Sequence, residues 1–249
     1  MPKDHENRVG GWYRLLQCDN KRPQVPLMNL VVLAGGRSRR MGLPKYCLSL
    51  AGIPLYEYPL RRLGALYQCH IIVENEGLIS ADGKPERLVV GDLVADAGPL
   101  GGIYSGLRAS NAALNMVVGA DMPFVSSSLA QAMGKRASTL DLDILVPNID
   151  GLLEPLFAIY SSRVANVAAE LLASGVRSVR ELFRNESLRI GFIDRAYGRQ
   201  YDERLMSFFN VNTLDDLTMA RLMMRAGEES IEEEREWMHT SVSCPDHHW

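Results

Sequence analysis

Short apolar runs recur along the chain at Leu30–Leu33, His70–Val73, Leu88–Val90, Met116–Val118, Ile144–Val146 and Phe157–Tyr160. Two weaker runs follow at Ile190–Ile193 and Phe208–Val211. Their apolar residues are contiguous rather than alternating, the pattern of strands buried on both faces. Between them apolar positions recur at helical spacing. Leu55–Tyr67 (with Leu60, Leu63 and Leu66), Gly102–Ala113, Ser127–Arg136, Arg163–Ala173 and Thr213–Ala226 are the predicted helices. Ser126 to Ser128 can cap the third helix, and Thr213 with Asp215 and Asp216 supplies a cap and acidic groups to the last. Strands alternating with helices predict a doubly wound, mostly parallel α/β sheet with helices on both faces.

The pattern also divides the chain. Residues 1–27 are polar, carry Pro23 and Pro26 and show no periodicity, so they read as an N-terminal extension with Met28 a candidate start. Residues 28–226 read as one domain. Gly227 is expected to stop the last helix, and 227–249 to form an acidic tail in which Glu228–Glu236 holds six glutamates and one arginine. The closing Cys244-Pro-Asp-His247-His248 carries metal-capable residues. No second ligand cluster lies near it in sequence, so a polar terminus is expected there.

Composition narrows the function classes. The 249 residues are 47% hydrophobic and 23% charged, an ordinary globular composition. Net charge is −3, and residues 228–249 hold −6 of it, which leaves the remainder mildly basic at +3. Nucleic-acid binding by overall charge is therefore not expected. No apolar run approaches the roughly 18 residues of a membrane span, and the N-terminus lacks the apolar core of a secretory signal. The cysteines at 18, 47, 69 and 244 form no CxxC pair, so reduced thiols and a cytoplasmic location are expected.

The richest chemistry follows the first apolar run, in Leu33-Ala34-Gly35-Gly36-Arg37-Ser38-Arg39-Arg40-Met41-Gly42-Leu43-Pro44-Lys45. In a doubly wound sheet this loop leaves the carboxyl end of a strand, the edge where ligands bind. Gly35 and Gly36 carry no Cβ, so backbone N–H groups can approach a phosphate closely. Four cations and no acid lie between Met28 and Lys45, which suits a polyphosphate. The loop matches neither GxGxxG nor GxxxxGK[ST], which argues against a dinucleotide site and a Walker A loop. Only His70 falls within the 28–226 core, and it abuts an apolar strand, so histidine-dependent chemistry has no support.

The pattern LAGGxSxRMGxxK, nine constrained positions in thirteen, resembles nucleotidyltransferases that condense a nucleoside triphosphate with a phosphorylated acceptor. Within that superfamily it is most similar to molybdenum cofactor guanylyltransferase. Four further segments resemble that family in the expected order: Val90-Gly-Asp92 through Gly-Pro-Leu-Gly-Gly102, Val117-Val-Gly-Ala-Asp121-Met-Pro-Phe124, Glu154-Pro-Leu-Phe-Ala-Ile-Tyr160, and Phe209-Asn210-Val-Asn212-Thr-Leu-Asp-Asp-Leu217. The resemblance covers residues 28 to about 220. The chain departs from the family at Glu74-Asn75-Glu76, where a polar Asn or Ser near the nucleotide is common, and at Leu214, which stands for a proline.

The resemblance implies a Rossmann-like nucleotidyltransferase that uses GTP, molybdopterin and Mg²⁺. It implies phosphate binding by Leu33, Ala34, Gly35 and Gly36, and stabilisation of the growing phosphate charge by catalytic Lys45 and Arg40. Asp92 would meet the guanine base, with a surface loop acid as the alternative. Asp121 would hold the metal against the nucleotide, while also suiting a cap for its turn. Arg177, Asn210 and Asn212 would serve the acceptor, although solvated arginines and a turn asparagine read equally well. Proteins that deliver or accept the cofactor are candidate partners. The rival readings are a CTP-dependent molybdopterin cytidylyltransferase, another nucleotidyltransferase for a phosphorylated acceptor, and a nucleotide-binding regulatory module without turnover.

Overall fold

The alternation expected from the sequence is present in a computed structural model of the chain, which describes residues 28–35, 48–75, 79 and 84–226. The N-terminal extension, Gly36, Arg40, Lys45, Gly227 and the acidic tail lie outside the described residues. The first strand, β1 (Met28–Leu33), is buried along its whole length, its apolar run Leu30–Leu33 preceded by a buried Asn29 whose amide donates to Ser110 Oγ and Asn111 Oδ1. A short hairpin of β2 (Ser49–Leu50) and β3 (Ile53–Pro54) leads into α1 (Glu57–Leu63). Then come β4 (His70–Val73), β5 (Arg87–Val90), α2 (Gly98–Ala109) and β6 (Leu114–Gly119). After them α3 (Ser127–Thr139) begins at Ser126, whose hydroxyl accepts from the Leu129 N–H at 3.2 Å and so satisfies one orphan donor.

The second half contains β7 (Ile144–Ile149), β8 (Leu152–Leu153), β9 (Phe157–Ser161) and α4 (Val164–Ala173). It continues with β10 (Ile190–Ile193), α5 (Arg195–Arg199) and a last helix, α6, over 214–226. The main sheet runs β10-β7-β9-β6-β1-β4-β5, with β8 paired to β7. All these pairs are parallel except those of β9 and β8. Helices cover both faces. Leu30 and Val32 of β1 pack with Leu60 and Leu63 of α1 and Leu129 and Met133 of α3. Val31 and Leu33 pack with Leu100, Ile103 and Leu107 of α2 and Ala168 and Leu172 of α4.

One expected strand is absent. Phe208–Val211 is not in the sheet; a 3-10 turn covers Met206–Phe208 and extended backbone follows. Its apolar residues serve the core from a loop. The Phe208 ring meets Phe157 edge-on at 5.9 Å, and Phe209 lies 5.7 Å from Phe124. These rings bury area without a ladder of backbone bonds, so an apolar run alone overstates strand content here. The α5 helix and the β2–β3 hairpin were not expected, because both are too short to show a period.

Candidate active site

Register brings the site together. Leu33 pairs with Val73 and with Gly119, and Val73 pairs with Val90, so the ends of β1, β4, β5 and β6 lie in one row. Chain order along the sheet reverses between β1 and β6, which makes that edge the switch point where open α/β sheets hold ligands. Ala34 and Gly35 leave β1 there, both donating to the Val73 carbonyl at 2.9 and 3.1 Å. Leu33 and Ala34 are buried and Gly35 is exposed. Among the described residues, the start of the glycine loop is thus a backbone anchor with its outermost residue open to solvent.

Asp121 follows β6 at the same edge and is 7% exposed. Its position is fixed by main chain on either side: Ala120 N–H donates to Leu33 O at 3.1 Å, and Val211 N–H donates to Asp121 O at 2.8 Å. The Cβ position of Gly119 lies 2.6 Å from Asp121 Oδ1, so any larger residue at 119 would displace the carboxylate. The bond from Val211 also delivers the Asn210–Asn212 element to Asp121. Asn210 Nδ2 donates to Glu154 Oε2 at 3.1 Å, while Glu154 Oε1 accepts from Leu156 N–H at 3.1 Å. Glu154 reaches this edge because β9 is antiparallel and begins where β6 ends, Phe157 pairing with Val118. Asn212 is exposed. Its N–H and that of Thr213 donate to Asp216 Oδ2 at 2.9 and 2.8 Å, and Thr213 Oγ1 accepts from Asp216 N–H at 3.1 Å. This reciprocal pair caps α6, and the bonds, chiefly from Asn212 N–H, hold the Asp216 carboxyl below its usual range.

Asp92 lies beyond β5, two residues past Val90. Its backbone N–H donates to Asn75 Oδ1 at 2.6 Å, and its Oδ2 accepts from Asn75 Nδ2 at 2.7 Å. The neighbouring Leu93 N–H donates to Ser105 Oγ at 2.9 Å, and that hydroxyl donates to Gly101 O at 2.8 Å, which ties the loop to α2. Arg177 stands apart in role. Its guanidinium donates to Leu172 O at 3.0 Å and Val176 O at 3.1 Å, closing the end of α4. A cleft of about 1120 Å³ opens farther along, at the carboxyl ends of β7 and β10, lined among others by Arg136, Asn148, Phe192, Arg195 and Arg199.

A glycine-bearing strand exit, a buried carboxylate and a clamped loop acid thus lie on one sheet edge. A model of the MobA-like NTP transferase domain matches residues 30–190. The chain belongs to that family. A probable molybdenum cofactor guanylyltransferase of Natranaerobius thermophilus is 33% identical over 197 residues, which are 78% of this chain and 95% of that protein. Its counterpart in Pelotomaculum thermopropionicum is 35% identical, covering 78% of this chain and 91% of its own. The crystal structure of molybdopterin-guanine dinucleotide biosynthesis protein A from Archaeoglobus fulgidus superposes with a TM-score of 0.70 at 29% identity, covering 80% of this chain and all of that one. The chain is thus a nucleotidyltransferase of the MobA-like family, with the parallel-sheet architecture that its strand pattern implies.

Two participants were not singled out by sequence reasoning. Asn75 lies in the run where the family residue was in question, and the structure pairs it with Asp92 across 17 positions. Glu154 lies in a motif that was recognised, but its bond to Asn210 spans 56 positions. The family-like segments mark both positions in the sequence, but neither names the residue that each one bonds. No helix among the described residues is long and apolar enough to cross a membrane.

Proposed function

We propose that the protein transfers the GMP part of GTP to the phosphate of molybdopterin, releasing pyrophosphate and giving the guanine dinucleotide form of the cofactor. The arrangement of Gly35, Asp92 and Asp121 on one sheet edge carries this reading. Guanylyltransferase relatives that match over most of their length support the choice of substrates.

In this reaction an oxygen of the acceptor phosphate attacks the α-phosphorus of GTP, a new P–O bond forms, and the bond to the β-phosphate oxygen breaks. The enzyme's work is positioning and charge neutralisation. Leu33, Ala34 and Gly35 anchor the phosphate loop, the last two through their N–H bonds to Val73 O. Gly36 receives phosphate along the backbone, and Lys45 and Arg40 stabilise charge growing on the α-phosphate and the leaving pyrophosphate. Asp92 accepts from guanine N1–H and the 2-amino group, a donor pair that adenine and cytosine lack. Asn210 and Asn212 serve the acceptor step, with Glu154 orienting the first, whereas Arg177 is committed to the carbonyls that end α4.

Asp121 fits a Mg²⁺ site. It is a buried carboxylate whose Oδ1 occupies room that a Cβ at Gly119 would fill. Among the described residues no group of three or more His, Cys, Asp or Glu could enclose a metal. One carboxylate plus substrate phosphates is the ordinary donor set for Mg²⁺. When bound, the ion would neutralise phosphate charge during transfer. The protein acts in the cytoplasm, where a buried thiol such as Cys69 stays reduced. Residues 28–226 are its catalytic domain, flanked by an extension and an acidic tail. Proteins that supply the pterin or take up the product complete its partners.

Thermal stabilisation by each nucleoside triphosphate with Mg²⁺ tests the substrate. GTP at 100 times its Kd adds about 2.7 kcal/mol of stability. Selective stabilisation by GTP is the expected result. A preference for CTP would move the product to the cytosine dinucleotide, and indifference to every nucleotide would overturn the reading.

A further inference from the structure

We infer that Asn75 is a specificity-determining positioning residue, which holds the Asp92 carboxylate in the orientation that reads the base. The inference rests on the proposed role of Asp92 at guanine. Parallel pairing of β4 with β5 brings the two strand exits together, and Glu74 N–H donates to Val90 O at 2.8 Å to close them. Beyond that point Asn75 and Asp92 share two bonds: Nδ2 to Oδ2 at 2.7 Å, and Asp92 N–H to Asn75 Oδ1 at 2.6 Å. The two bonds form a closed ring, and they fix which way the amide faces. Reversing it would set oxygen against carboxylate and NH₂ against N–H, losing both.

The ring engages one carboxylate oxygen only. Asp92 Oδ1 is buried and has no hydrogen-bond partner among the described residues. A carboxylate with one oxygen anchored and the other unsatisfied is preorganised for a donor that a ligand brings. Guanine presents such donors at N1 and the 2-amino group, whereas adenine presents an acceptor at N1. The Cβ position of Gly35 lies 3.6 Å from Asn75 Nδ2, so the same amide touches the strand exit that leads into the phosphate loop. Asn75 therefore joins the base-reading loop to the phosphate-binding loop without needing to touch the nucleotide.

The test is the ratio of GTP to ATP affinity with Mg²⁺, measured by calorimetry on wild type, Asn75→Ala, Asn75→Asp, Asp92→Ala and the Asn75→Ala/Asp92→Ala double variant. Asn75→Ala should weaken GTP about tenfold, the weight of one hydrogen bond to a charged group, and leave ATP within about twofold. Asn75→Asp should fall at least as far, since it keeps the size but opposes two carboxylates. The double variant should discriminate no worse than Asp92→Ala alone, because Asn75 acts through Asp92. A ratio measured on one preparation is insensitive to a partly unfolded fraction, which lowers both affinities alike. If Asp92→Ala removes discrimination and Asn75→Ala leaves the ratio within twofold of wild type, the inference is overturned while the reading of Asp92 stands. If Asp92→Ala leaves the ratio unchanged, the base role of Asp92 falls, and the inference with it.

Discussion

Gly106 sits on the face of α2 that rests on the sheet, and replacing it with alanine should open a measurable gap between local and tertiary preference. Its Cβ position lies 2.3 Å from Val31 Cγ1 and 3.3 Å from Val73 Cγ2. The first separation is about 1 Å short of a van der Waals contact, and Val31 is fully buried, so neither side can yield freely. Overpacking of this kind costs about 3 kcal/mol at the upper end of its usual range. Alanine in a helix interior returns about 1 kcal/mol over glycine. Packing wins, and Gly106→Ala should lose about 2 kcal/mol. Val31→Ala should lose about 2.5 kcal/mol, from two methyl groups at about 0.8 kcal/mol each plus a residual cavity. The double variant puts the new methyl where Cγ1 was, leaving Val31 Cβ at an ordinary 3.5 Å. It should therefore lose about 1.5 kcal/mol rather than the additive 4.5 kcal/mol or so. Urea unfolding with an unchanged m-value gives these differences directly. A single variant within about 0.5 kcal/mol of wild type, or a double variant equal to the sum of the singles, would refute the packing argument.

Three further expectations address the site and its support. Asp121→Asn keeps the main-chain bond from Val211 and the shape of the side chain but removes the charge that would meet a cation, so pyrophosphate release should fall about 10²- to 10³-fold with the melting temperature little changed. Retention of more than a tenth of the activity would exclude Asp121 from the charge-bearing step. At the start of α6, Thr213→Ala should cost about 1 kcal/mol by loss of the cap. Asp216→Asn should lower the melting temperature at neutral pH, with a difference that closes in acid. The native Asp216 carboxyl titrates below its unfolded value of about 3.9, so its stabilisation is complete above that pH and lost as pH falls through the native value. A difference that persists unchanged down to pH 2 would show that the carboxylate charge is not what the cap uses.

Seven of the eight expected strands appear in the main sheet, and five of them, β1, β4, β6, β7 and β9, were legible for a single reason, while the end strands β5 and β10 are only partly buried. A strand covered on both faces must be apolar at successive positions, and few other elements of that length need to be. The eighth, Phe208–Val211, shows the limit of the rule: aromatic residues of a loop can fill a core as well as a strand does. The direction of β9 was not legible, because an apolar run reads the same in either sense. Yet that direction is what carries Glu154 to the edge occupied by Asp121 and lets it hold Asn210.

The local chemistry of the site belongs to the sequence. Glycines after the first strand, an acid after the fourth long apolar run and a capped last helix are all properties of neighbouring residues. So is the motif order that marks the family, since each motif is a short stretch whose backbone needs are met locally. What the tertiary structure decided is which of these groups meet. Register sets Leu33, Val73, Val90 and Gly119 in one row, and from that row follow the ring between Asn75 and Asp92 and the meeting of Val211 with Asp121. The physical reason is that register in a parallel sheet is chosen by the burial of both faces at once. No spacing along the chain encodes that choice; it exists only when the strands and the helices covering them pack together.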